Sequence, residues 1–204
     1  MRALHPNTHQ PTEGETVTVE IIRDALGIIV RNEGEYGAFF VRAGLRMRSP
    51  SERQYLCELT IQSSFGNVGH FWTHMGEPAD KFFASVEKSY LVGKLFGEHA
   101  YEFDSEATER ALKKMLLRDR REREVDSDLA REIWNDIQDM GMYHHLEAFC
   151  DAYTEFPVML EWTNVGDIPY QQRFTAQATG FWEKLWPEFV TALQQELNRP
   201  KVVK

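Results

Sequence analysis

At Gly76 the period of the sequence changes, and that change constrains the fold of this 204-residue chain more than any other feature. Before it, apolar and polar residues alternate. Val17, Val19 and Ile21 stand between Thr16, Thr18 and Glu20, while Leu59, Ile61 and Ser63 share one side of a run from Tyr55 to Ser64. Alternation of period two places one set of side chains on one face of a strand. Two further runs, Ile28-Ile29-Val30 and Tyr36 to Val41, flank an Asn32-Glu33-Gly34-Glu35 turn. Residues 44–53 read as a polar loop around Pro50. Phe65-Gly66-Asn67-Val68-Gly69 reads as a turn into a returning strand, His70 to His74, because glycines beside an asparagine favour positive φ. The first third therefore predicts an antiparallel sheet of four or five strands.

After Gly76 the spacing becomes helical. Pro78 suits a first turn, and Ala79, Phe82, Phe83, Val86 and Tyr90 follow on one face. Asp104 or Ser105 caps a second helix carrying Ala107, Ala111 and Met115. Asp126 or Ser127 caps a third, with Leu129, Ile133, Ile137 and Met140 inward and Gly141 as its stop. A fourth runs through Leu146, Phe149, Cys150 and Tyr153 to Pro157. The last carries Phe174, Ala178, Phe181 and Leu185, is interrupted at Pro187, and resumes with Phe189, Leu193 and Leu197. Strands first and helices after predict an α+β protein whose helices cover one face of the sheet. Residues 1–15 read as a flexible arm and 16–204 as a single α+β domain, with a sheet part over 16–76 and a helical part over 77–204. The 13 Phe, 7 Tyr and 5 Trp are enough large side chains for a well-packed core. Phe71, Trp72, Phe82 and Phe83 are expected where helix meets sheet.

Charge narrows the function classes. The net charge of −9 is concentrated in one half: residues 1–97 hold 11 acids and 10 bases, residues 98–204 hold 21 and 13. An acidic chain makes a poor general nucleic-acid binder, since phosphate contacts draw on clustered Lys and Arg. The local exception is the stretch 110–123, where Arg110, Lys113, Lys114, Arg118, Arg120, Arg121 and Arg123 face only Asp119 and Glu122. Immediately after it come Glu124, Asp126, Asp128, Glu132, Asp136 and Asp139 against Arg131. Two neighbouring runs of opposite sign either pair within the fold or serve a partner. Asp128, Glu132, Asp136 and Asp139 follow helical spacing close to one stripe, so they, with Arg118, Arg120 and Arg121, are the partner-binding candidates. No run of about 18 apolar residues is present to span a bilayer. The opening MRALHPNTHQPTEGETV lacks the apolar core of a secretory signal, so the cytoplasm is the expected compartment, with Cys57 and Cys150 as reduced thiols.

Motifs of catalysis are missing: there is no phosphate-cradling glycine loop, no Gly-x-Ser-x-Gly elbow and no Cys-x-x-Cys. His70 and His74, four apart, would share one face of a strand, but a third metal ligand is not visible nearby. His144-His145 with Glu147, Cys150 and Asp151 offers ligand types on a helix, though adjacent histidines point different ways. Cys150 has no neighbour that would lower a thiol pKa for nucleophilic work. The expectation is therefore no catalytic residue, no cofactor and no metal.

The run from Ser63 to Pro78, SSFGNVGHFWTHMGEP, followed by Phe82-Phe83 and Tyr90-Leu91-Val92-Gly93-Lys94-Leu95, is more specific. Over about residues 54–97 it resembles an uncharacterised family of small accessory proteins encoded by bacteriophages and prophages. There a Phe/Tyr-Gly-Asn turn leads into an aromatic-Trp-x-x-Met/Ile-Gly strand end and a Phe-rich helix. The resemblance implies a phage accessory product made in the host bacterial cytoplasm, acting by binding a host protein or ribonucleoprotein complex, such as a nucleic-acid-targeting defence system. An acidic helical surface competes for basic grooves through Coulomb attraction, which gives that expectation a physical basis. Two other readings stay open. The chain could be an enzyme or a ligand-binding module whose aromatic hairpin walls a pocket, with His70, Trp72 and His74 facing it, or the stretch 110–123 could contact nucleic acid directly. Assembly with further copies of the chain is also open.

Overall fold

The computed structural model describes residues 25–49 and 52–199, and over these the protein is α+β. Four strands, β1 (Leu26–Asn32), β2 (Glu35–Ser49), β3 (Glu52–Ser63) and β4 (Gly66–Met75), form an antiparallel meander in chain order. The β1–β2 loop is the two residues Glu33 and Gly34, both at positive φ (50° and 84°), the geometry whose twist matches that of the flanking strands. Residues 44–49 and 52–53, expected as part of a polar loop, are strand. The β2–β3 ladder continues through Leu45↔Tyr55, Arg46↔Gln54 and Met47↔Arg53, because Leu45 and Met47 alternate with Arg46 and Arg48 and the charges hide a period-two pattern. The β3–β4 turn is also tighter than expected and lies at Ser64–Phe65, with Gly66 at φ +120°. Gly69 belongs to β4, where a Cβ would approach the Leu59 carbonyl oxygen to 2.9 Å. The strand pattern at Val17–Ile21 and the arm 1–15 lie outside the described residues.

Two groups of helical segments cover the inner face of this sheet. α1 (Ala79–Ser85) and α2 (Lys88–Phe96) replace the single helix expected, with the chain extended at Val86 and Glu87 between them. The C-terminal segment supplies α7 (Ala176–Gly180), a π-helical turn (Phe181–Leu185) and α8 (Trp186–Leu197). Pro187 cannot donate to the residue four back and its ring crowds that carbonyl, so the wider turn just before it keeps the helix continuous instead of breaking it. The core between the layers is aromatic. Phe39 stacks on Phe189 at 4.3 Å between centroids, and Phe83 meets Trp72 and Trp186 edge-on at 5.2 and 5.4 Å. Trp72 and Phe83 are buried and Phe82 is half-buried, but Phe71 is 47% exposed. The alternation of β4 explains this correction: Val68, His70 and Trp72 take the inner face, so Phe71 falls on the outer one.

A second hydrophobic cluster is built by α3 (Ser105–Glu122), α4 (Ser127–Asp139), α5 (Leu146–Tyr153) and α6 (Pro157–Trp162). Asp104 caps α3, accepting from the Ala107 N–H at 2.9 Å. The inward stripe of α3 is Thr108, Leu112, Leu116 and Asp119, one position on from the expected Ala107, Ala111 and Met115, because the leucines bury more area. On α4, Ile133, Ile137 and Met140 are buried as expected, while Leu129 is 38% exposed; Gly141 ends the element at φ +74°. Between the two clusters runs a ribbon of β5 (Tyr101–Phe103) and β6 (Gln172–Phe174), each three residues long. Phe174, expected on a helix, is a ribbon residue stacked on Tyr101 at 4.8 Å. Among the described residues, no helix is long and apolar enough to cross a membrane.

Candidate functional site

The helical cluster presents the charged surfaces. At the start of α4, the Asp126 carboxylate accepts the backbone N–H groups of Asp128 and Leu129 at 2.8 and 2.9 Å. Those two bonds, the Leu129 bond first, hold the Asp126 carboxyl below its ordinary range, with Arg120 adding to the effect. Beyond the cap, Asp128, Glu132 and Asp139 are exposed on α4 away from Ile133 and Ile137, while Asp136 flanks those two residues. Among the described residues Asp128 is answered only by Arg131, three residues on, at 3.4 Å, and both side chains are widely exposed. Asp136 sits at the edge of the stripe, half-buried; burial first, then the nearby Asp139, pushes its carboxyl above the ordinary value.

On α3 the cations answer locally. Arg110 pairs with Glu106 at 3.6 Å, Lys113 with Glu109, and Arg118 with Asp119 at 2.9 Å. Asp119 is itself buried and accepts the Trp162 indole N–H at 3.1 Å, tying α3 to α6. α3 and α4 pack on each other through apolar residues. Among the described residues, no ion pair joins Arg118, Arg120 or Arg121 to Asp128, Glu132, Asp136 or Asp139. Geometry thus places the seven candidate residues on neighbouring helices without neutralising the stripe from α3. Asp119 is the functional-looking acid that sequence reasoning passed over. Its signal was an acid within an apolar stripe at helical spacing, beside Leu112 and Leu116. Asp119, Glu122 and Glu124 also cluster closely enough to offer three carboxylate oxygens, but Asp119 is already occupied by Arg118 and Trp162.

The histidine and cysteine clusters come apart. The register of β3 with β4 shifts between Tyr55↔Met75 and Cys57↔Trp72. That bulge turns the end of β4, so His70 is half-buried on the inner side while His74 is exposed. His70 lies edge-on to Trp72 at 4.6 Å, and its pKa is lowered, first by burial and then by Lys94. Trp72 packs against Phe82 and Phe83, so His70, Trp72 and His74 do not face a common pocket. The hairpin tip does border a cleft of about 540 Å³, with Phe65 and Val68 opposite Leu95, His99, Tyr101 and Gln177. His144 and His145 line a separate cleft of about 580 Å³ with Tyr101, Glu102 and Tyr170. Cys150 is not among the residues lining that cleft; its Sγ lies 3.4 Å from the Tyr170 hydroxyl. Burial, then that bond to Cys150, pushes the Tyr170 phenol upward. Cys57 is fully buried, and burial, then Glu58, pushes its thiol up to about 12. Both cysteines are free thiols.

A family model, that of the phage family Phage_phiTE_072, matches residues 52–196, which include β3, β4 and the described helices from α1 to near the end of α8. No curated protein matches the chain, and no solved structure does.

Proposed function

The chain belongs to that phage family, and on this premise we propose that it is an accessory protein that binds a host protein complex through the acidic stripe of α4. The target is a basic groove of a nucleic-acid-targeting defence system in the host bacterial cytoplasm, and occupying the groove is the inhibitory act. One observation carries the reading. Asp128, Glu132 and Asp139 are exposed along a helix, with Asp136 half-buried at the edge of the row, and among the described residues the basic neighbour, α3, forms no ion pair with any of the four. Like charges at three- and four-residue steps repel by a few tenths of a kcal/mol each, so the row weakens the isolated helix. A basic partner turns the same row into a favourable, steered contact.

The test is the triple reversal Asp128→Lys, Glu132→Lys, Asp139→Lys, at the three exposed acids of the row. Wild-type protein recovered from expressing bacteria is expected to carry a stoichiometric protein partner, and the triple variant to lose it while melting within a few degrees of wild type. Association should also weaken between 50 and 500 mM salt, since exposed charges are screened over about 10 Å at 0.1 M. A triple variant that keeps the partner, or a wild-type complex indifferent to salt, removes the stripe from the interface.

A further inference from the structure

On α3, Lys114, Arg118 and Arg121 stand four and three residues apart and converge on a groove of about 400 Å³. Ala111, Met115 and Pro169 complete its lining, so three cations surround an apolar floor and no acid borders it. The far wall is fixed in place. The Gln171 N–H donates to the buried Thr108 hydroxyl at 2.9 Å, and the Asp104 N–H donates to the Gln171 carbonyl at 2.9 Å. Pro169, two residues before Gln171, is thereby held alongside α3.

The three cations are unequally committed. Arg118 gives its Nε and one terminal nitrogen to Asp119, at 3.0 and 2.9 Å, which holds the guanidinium in place and leaves other N–H groups free. Lys114 and Arg121 are exposed and form no ion pair among the described residues. Cations gathered around one concavity repel each other until an anion joins them. Arginine forks pair bidentately with two oxygens of one phosphate or carboxylate, and the lysine adds a point charge. The apolar floor calls for a ligand with a flat, weakly polar body beside its charge.

We propose that this groove binds the phosphates of a nucleotide, free or within single-stranded nucleic acid, with the base or sugar on the Ala111–Met115–Pro169 floor. The site is separate from the α4 stripe and stands whether or not that stripe has a protein partner. If the ligand is a strand, the row continues to Arg110, one further four-residue step and about 6 Å along the helix.

The test uses the full chain with three probes: ATP, a fluorescein-labelled oligothymidine, and poly-glutamate as an acidic chain without phosphate. Binding of ATP or oligothymidine is expected, with a fall of about tenfold or more in Lys114→Glu/Arg121→Glu, the scale of losing two charge-assisted contacts. Both side chains are exposed, so the variant should melt as wild type does; Lys114→Ala/Arg121→Ala is the milder replacement. A strand held by three phosphates gives log K falling against log salt with a slope of about −2, and Arg110→Glu weakens it further. A free nucleotide binds without regard to Arg110. Three results would overturn the proposal: binding of neither ATP nor oligothymidine, binding that survives the double variant, or poly-glutamate binding as tightly as oligothymidine.

Discussion

Phe39 and Phe40 are neighbours on β2 with opposite environments, and truncating each in turn measures what the sheet buries. Phe39 is fully buried, stacked on Phe189 at 4.3 Å and tilted against Phe181 at 6.2 Å, so it joins the sheet to the C-terminal helix. Phe39→Ala removes those contacts and leaves a cavity the surrounding rings cannot fill, at a cost of about 3–5 kcal/mol. Against a total stability of about 5–15 kcal/mol this is a large share. For a chain of this length it lowers the melting temperature by roughly 6–20 °C. Phe40 points to the outer face and is 46% exposed, with Gly27 and Thr60 as its cross-strand neighbours. Full burial of a phenylalanine contributes about 1.5–3 kcal/mol, so losing a half-exposed one costs about 1 kcal/mol. Paired urea and thermal melts of the two variants at one protein concentration read the difference. Equal losses would refute the reasoning, since they would mean the outer face is covered in solution as closely as the inner one.

Two further outcomes follow from the titrating groups. With its thiol pushed up to about 12, Cys57 is almost wholly protonated at pH 8, so iodoacetamide should modify one thiol, Cys150, in the native protein and both in urea; equal native rates would show that the sheet opens. Asp136→Asn should raise stability at pH 7, because the native fold disfavours the charged carboxylate. The raised native pKa means the wild-type penalty appears as pH rises from the ordinary value of 3.8 through the native one. The gap between variant and wild type should therefore close as pH falls through that window, and a gap independent of pH would assign the effect to packing.

Much of the architecture was legible where one side chain pattern dominates. The alternation of Leu59 and Ile61, the Glu33-Gly34 turn and the Asp104 and Asp126 caps each depend on neighbours within four residues, and each appears where expected. What the sequence hid depends on distant partners. Arg46 and Arg48 masked the extension of β2, because a ladder is satisfied by its partner strand and not by local polarity. β5 and β6 are three residues each and separated by some seventy positions, too short to announce a period. His70 and His74 parted through a bulge, which only the pairing with β3 reveals. The charged candidates were visible as runs, but the groove at Lys114 was not. Pro169 reaches it through a chain of bonds from Thr108 and Asp104 that no spacing along α3 foretells.

One glycine ties the hairpin to the far end of the chain. Gly180, the last residue of α7, faces the ring of Phe65 so closely that a Cβ there would collide with it. Phe65 sits in the turn between β3 and β4 and also lines the 540 Å³ cleft. The bare backbone at position 180 thus works as a socket, and the ring as the peg that sets how near the turn stands to the C-terminal helix. Adding even a methyl group at that socket would push the peg outward and reset the width of the cleft mouth, with no change to any residue of the sheet.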